Sequence, residues 1–324
     1  MALKTMLATY YAIHDGKELV VNGRDGYKYD GYLYFIILME NKEIIYMEQA
    51  ALAYYLVEKG YPQMAIPIRN INNEWFTIYE GNNYMVIQVQ QVKQVNEDTN
   101  GKLLADFHQI GTLYNFEPQA ISSYGQWKQL WIDKLTAFEN KIVEEARENP
   151  SDYYRLVMDT LPYLIGISEN AIQYIQESER DTRYDGTDQG TIAFKRYTTN
   201  LEKPVIWTHD LVYDHPARDI AEYIRFMMLT RENHDAVVSF MNSYQSVRPL
   251  SVFSWRLLYA RLVFPIHLFD QIDNGFANPD LEVSYIRLQE LLEKQTHYEG
   301  KLRNFFEHAG VDRESHRIPV LHWL

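Results

Sequence analysis

Carboxylates and imidazoles gather in one stretch of this sequence, residues 185–219, which holds Asp185, Asp188, His209, Asp210, Asp214, His215 and Asp219. Paired carboxylates can hold a magnesium ion and align an attacking hydroxyl, the two demands of phosphoryl transfer. Asp188 and Asp210 are the candidate pair, 22 positions apart. His209 and His215 with Asp210 and Asp214 have the donor types of a metal cluster, although such groups are more often solvated or bonded to backbone. Other chemistries find less support. There is no Gly-x-Ser-x-Gly and no His-Glu-x-x-His, and His234 and His267 are single histidines in helical patterns. Gly16, Gly23 and Gly26 lack the spacing of a phosphate-cradling loop, and the chain has no cysteine to serve as nucleophile, thiolate ligand or disulfide partner.

The elements that must position these groups are legible around them. Thr191–Phe194 and Pro204–Trp207 read as the strands of a hairpin with a turn near Asn200–Lys203. A loop follows, then a helix opening at Asp219, whose carboxylate is suited to accept backbone N–H bonds there. Residues 7–90 read mainly as strands: Tyr32–Met39, Trp75–Tyr79 and Tyr84–Val92, the last two joined through Glu80-Gly-Asn-Asn83. One helix interrupts them at 43–59, stopped by Gly60. The polar stretch Val92–Gly101 marks a lobe boundary. Beyond it, apolar spacing predicts helices over 102–114, 124–147, 151–160, 161–178, 217–230, 232–246, 251–272 and 282–308. Trp127, Leu130, Trp131, Leu135 and Phe138 read as core, and 177–189 as a surface loop. The tail His316–Leu324 is suited to dock on the body or on a partner.

Hairpin, loop and acid-capped helix together resemble the active-site segment of the aminoglycoside/choline-kinase-like phosphotransferases. They are more closely similar to the bacterial spore-coat kinase-like proteins of the CotS/YutH group. Tyr213-Asp-His-Pro-Ala-Arg-Asp-Ile-Ala221 matches the end of the family's segment, and Leu104-Ala-Asp-Phe-His108 resembles the Leu-Ala-x-Leu-His signature of its first large-lobe helix. In the enzymes the first strand leads into His-Gly-Asp-x-x-x-x-Asn and the second ends in a magnesium-binding Asp. Carried onto this chain, Arg196 stands at the catalytic Asp, Leu201 at the Asn and Trp207 at the metal Asp. An indole cannot ligate magnesium, and a guanidinium reverses the charge. The strand at 32–39 also lacks the Lys that pairs with a helix acid, for which Glu48 is placed. A register using Asp188 and Asp210 leaves Asp210 only nine residues before Asp219 and Ala193 at the Asn position.

The resemblance implies an α+β, two-lobed protein-kinase-like fold of the aminoglycoside phosphotransferase type. Its small, mostly β N-terminal lobe would cover 1–94. Its large helical C-terminal lobe would cover 95–324 and hold a remnant catalytic hairpin at about 191–207. It implies a spore-coat protein made in the mother-cell cytoplasm, with other coat proteins as partners and no cofactor; the alternative is an active small-molecule phosphotransferase using ATP and magnesium. His108 and Asp219 are then structural remnants of the catalytic loop. At 324 residues and 46% hydrophobic the chain can bury a large core. A net charge of −13 disfavours a general nucleic-acid or anionic-membrane binder. The longest apolar run, Tyr32–Met39, is too short to span a bilayer, and the first residues lack a signal-peptide core. The 26 tyrosines read as surface and interface residues, or as packing and cross-linking groups of a coat.

Overall fold

The computed structural model describes residues 2–40, 42–90, 100–181, 186–230, 234–314, 316 and 318–321. The expected lobe boundary at 94/95, Asp185 and the last three residues lie outside these. Two compact units divide the chain: Met1–Ser122 with Thr191–Asp214, and Ser123–Gly190 with His215–Leu324.

The first unit is built on an antiparallel sheet. Its strands are β1 (Lys17–Val21), β2 (Arg24–Tyr29), β3 (Tyr32–Leu38), β4 (Ile66–Ile68), β5 (Thr77–Tyr79) and β6 (Asn82–Val89). They run in the order β1-β2-β3-β6-β4, with β5 also on β6. The β5–β6 turn forms where the sequence places it, because Glu80 and Gly81 both take positive φ, the geometry that matches strand twist. Alternation along the strands gives the sheet two apolar faces. One buries Tyr34 and Val86 against Met6, Leu7 and Ile13. Met6 and Leu7 belong to a helix, α1 (Ala2–Tyr11), where strand was expected from residue 7. The other face buries Leu33, Phe35, Met85, Ile87 and Val89 against Val205 and Trp207. Helix α2 (Glu43–Glu58) ends at Gly60, whose φ of +97° an L side chain rarely adopts.

Helix α3 (Asn100–Thr112) and a two-stranded ladder complete this unit. The ladder corrects the expected hairpin. β7 (Thr191–Phe194) pairs not with 204–207 but with β8 (Leu211–Asp214), in register Thr191↔Asp214 to Phe194↔Leu211. Residues 204–207 run instead beside Gln63–Ala65, with Ala65 N donating to Ile206 O (2.8 Å) and Ile206 N to Gln63 O (3.0 Å). The physical reason is burial. All four β8 residues are buried, and Val205 and Trp207 fill the sheet's inner face.

The second unit is helical: α4 (Trp127–Glu148), α5 (Asp152–Asp181), α6 (Ala217–Thr230), α7 (His234–Gln245), α8 (Val252–Val263), α9 (Ile266–Ala277), α10 (Leu281–Arg303) and α11 (Phe305–His308). Trp127, Trp131, Leu135 and Phe138 are core as expected, whereas Leu130 is 38% exposed. Trp131 stacks on Phe264 and Phe138 meets Phe269 edge-on. Tyrosine is a core residue here as well as a surface one. Tyr153 and Tyr298 are fully buried and donate to Ile272 O and Leu262 O, so each ring packs while its hydroxyl stays bonded. The tail docks on its own unit as far as Leu321: Ile318 is buried and Tyr174 OH donates to Pro319 O (2.8 Å). Among the described residues, no helix is long and apolar enough to cross a membrane.

Candidate functional site

Trp207 sits at the end of the 204–207 segment and is 6% exposed. Its ring meets Phe35 of β3 edge-on, with centroids 4.8 Å apart and planes at 87°. The Arg24 guanidinium lies 4.8 Å from the indole centroid. The position that the family resemblance assigns to a metal ligand is therefore part of the hydrophobic core under the sheet. Leu201 is equally buried, in a short turn (Asn200–Glu202). Arg196 is half-buried, and its Nη1 donates to Lys195 O (2.8 Å). Its side chain therefore turns back on its own loop.

His209 and Asp210 close the next turn. Asp210 O accepts from Lys195 N (2.8 Å), joining the two ends of the loop. Arg24 Nη2 lies 2.7 Å from His209 Nε2, and since Arg can only donate, that nitrogen is the acceptor. Burial pushes the His209 pKa down to about 4; Asp210 opposes the shift, while Arg24 and Lys195 reinforce it. The ring is thus held neutral, with the Asp210 carboxylate 3.7 Å from it.

Helix α2 contributes two polar side chains to the same unit. Among the described residues, no lysine pairs with Glu48. Its Oε1 accepts from Gln119 N (2.8 Å), and its Oε2 from Ala120 N (2.8 Å) and Ile121 N (3.0 Å). Three backbone donors satisfy the carboxylate and tie the loop after α3 to α2. Gln49 Nε2 donates to His209 O (3.1 Å) and Leu211 O (2.9 Å), fixing the start of β8. His108 of α3 is completely buried, and its carbonyl accepts from Thr191 Oγ1 (2.8 Å). One turn on, a Cβ at Gly111 would collide with Thr191 Oγ1 and lie 2.7 Å from Ile192 N, so α3 approaches β7 this closely only because that residue is glycine.

Asp188 belongs to the second unit and has no exposed surface. Ser251 Oγ and Ser254 Oγ both donate to its Oδ1 at 2.6 Å, and His215 Nε2 lies 3.3 Å away. His215 Nδ1 accepts from Ala217 N (3.0 Å), which leaves the ring proton on Nε2, facing Asp188. Ser, His and Asp in contact invite comparison with a hydrolytic triad, but the proton connections are wrong for one. The serine protons go to the carboxylate, and the imidazole nitrogen 3.4 Å from Ser254 Oγ is itself a donor. The network instead ties the chain before β7, the start of α6 and the first turn of α8 together. In the sequence His215 reads as a candidate metal donor and as part of the family-like run 213–221, and nothing marks Ser251 or Ser254 beyond Ser251's place at the start of a helix. Asp219 stands in the first turn of α6, completely buried. Asp188 and Asp210 fall in different units, each with partners of its own. Among the described residues, no three His, Asp or Glu side chains converge as a metal site.

Comparison with known proteins adds what geometry alone does not. Residues 4–305 match the family described as "Spore coat putative kinase YutH". The chain belongs to the YutH family. It is 32% identical over 295 residues to the Bacillus subtilis endospore coat-associated protein YutH, covering 88% of this chain and 85% of that one. Spore coat protein S of the same organism is 24% identical over 262 residues, covering 74% and 72%. Among solved structures, an aminoglycoside phosphotransferase from Alicyclobacillus acidocaldarius aligns with a TM-score of 0.56 at 14% identity, covering 92% and 93%. That likeness fixes the fold of this YutH-family chain as the two-lobed kinase-like one, with an antiparallel-sheet lobe and a helical lobe.

Proposed function

We propose that this YutH-family protein is a pseudokinase of the spore coat, made in the mother-cell cytoplasm and acting by binding and assembly with other coat proteins rather than by transferring phosphate. The observation that carries this reading is the burial of Trp207 in the core beneath the sheet, where the family resemblance places a magnesium ligand. An indole offers no oxygen to the ion.

A shift of register leaves the reversed charge in place. Lys195 directly follows β7, and Asn200 stands five residues later, so moving the alignment by one residue restores the Asn and puts Lys195 at the catalytic Asp. Either alignment leaves a cation where an anion is required. Asn200 is itself buried, its Oδ1 accepting from Thr198 N (3.1 Å). The rival pair is no better suited. Asp188 is enclosed by two hydroxyls and an imidazole, while Asp210 stands beside a neutral histidine. The residues present do not fit bound Mg·ATP, so no cofactor is assigned.

Asp210→Asn separates assembly from catalysis, because it removes the accessible member of the rival pair while keeping its size. In sporulating cells that carry the variant in place of the native gene, it should reach the coat fraction in wild-type amount and give wild-type spores. A variant that is folded and present, yet leaves spores like those of a deletion strain, would point to an enzyme using that carboxylate.

A further inference from the structure

β1 and β2 run past the sheet they belong to. β2 pairs with β3 only from Tyr27 to Tyr29, whereas it pairs with β1 from Arg24 to Lys28. Arg24–Gly26, with Leu19–Val21 opposite them, therefore form a two-stranded overhang, closed by a turn at Asn22 and Gly23 with positive φ. Such a hairpin has little stability of its own in water. Contacts from one face hold it down. Leu19 and Val21 pack on the core cluster that contains Phe35 and Trp207. Gly26 lies against the Phe35 ring, and a Cβ there would come within 2.5 Å of it, so the strand approaches this closely only because that residue is glycine. Arg24 reaches the Trp207 indole at 4.8 Å and His209 Nε2 at 2.7 Å. Among the described residues, no carboxylate lies within 4 Å of that guanidinium: its acceptor is a neutral imidazole and its platform an indole.

Apolar packing of Leu19 and Val21 is non-directional and would let the overhang slide, whereas the Arg24 bond fixes where its tip lands. We propose that the β1–β2 overhang is a lid that this chain closes on its own remnant segment at 207–209, with Arg24 as the clasp and Trp207 and His209 as its catch. The inference rests on the pseudokinase reading, because a working site would have to admit ligand beneath the same hairpin. One side chain then does what bound substrate does in an enzyme whose lid closes on it.

Hydrogen exchange of the full chain at pH 7, followed peptide by peptide, tests the lid. In Arg24→Ala the amides of 19–26 should exchange roughly tenfold faster than in wild type, after correction for the altered side chain, while 33–38 and 84–89 keep their wild-type rates. Arg24 is exposed, so the variant should fold, and an unchanged unfolding temperature verifies that. His209→Leu removes the acceptor from the other side and should also speed exchange at 19–26. The double variant should be no faster than Arg24→Ala, because both substitutions break one contact. Wild-type rates in Arg24→Ala, or effects that multiply in the double variant, would overturn the lid. These comparisons are made without nucleotide, so they can fail while the pseudokinase reading stands. Protection of 19–26 that arises only when ATP and magnesium are added would sink that reading and the self-closed lid together.

Discussion

His209 accepts a hydrogen bond from Arg24 on the nitrogen a proton would have to occupy, and burial pushes its pKa down to about 4. His267 of α9 is buried more deeply, with its pKa pushed down to about 3 by that burial and by nearby Arg225, against the opposing bond to Gln295. A free histidine titrates near 6.5, so the unfolded chain takes up protons at both sites while the folded chain does not. Their stabilising contribution is complete above about pH 6.5 and is lost as the pH falls towards 3–4. The midpoint of urea unfolding should therefore drop steadily from pH 7 to pH 4.5. His267→Gln should flatten that slope even where it lowers the midpoint at pH 7. A midpoint independent of pH across this range would contradict neutral burial of both rings.

The contact between α3 and β7 rests on one missing methyl group. Gly111→Ala would push that methyl into Thr191 and Ile192 at the root of the ladder, where Thr191 pairs with Asp214. Alanine is the better helix former by about 1 kcal/mol, yet overpacking of about 1–3 kcal/mol should outweigh it, giving net destabilisation in urea. A more stable variant would mean that α3 and β7 can move apart freely. Helices with a strong apolar period and a clear stop, such as α2 before Gly60 and α6 from the Pro-Ala-Arg-Asp run, were legible from sequence because local rules decide them. Misreadings came where tertiary packing decided. Pro162 separates 151–160 from 161–178 by local rules, yet α5 runs through it. One miss was local instead: Pro265 ends a helix that apolar periodicity alone continues across 251–272. β7 had two apolar runs of equal local merit as partner, and what the sheet's inner face needed to bury decided between them. At the site, residue identities were legible and their partners were not. Glu48 looked like an acid without a lysine, and nothing in 119–121 announces backbone donors for it, because every residue but proline carries one.

At the scale of the whole molecule the family match over residues 4–305 and the kinase-like fold set the question: whether this frame still handles nucleotide. A net charge of −13 works against an anionic nucleotide unless magnesium and positioned cations offset it. The residues aligned with the enzyme's metal site are a core indole and a leucine in one register, or an indole and a buried asparagine in the other. The most direct test is a thermal-unfolding titration of the full chain with ATP, with and without excess magnesium, alongside a turnover assay. A ligand at a hundredfold excess over its dissociation constant would add about 2.7 kcal/mol to stability. A pseudokinase should show no magnesium-dependent shift and no turnover; a clear magnesium-dependent rise in the unfolding temperature with measurable ATP consumption would make it an enzyme.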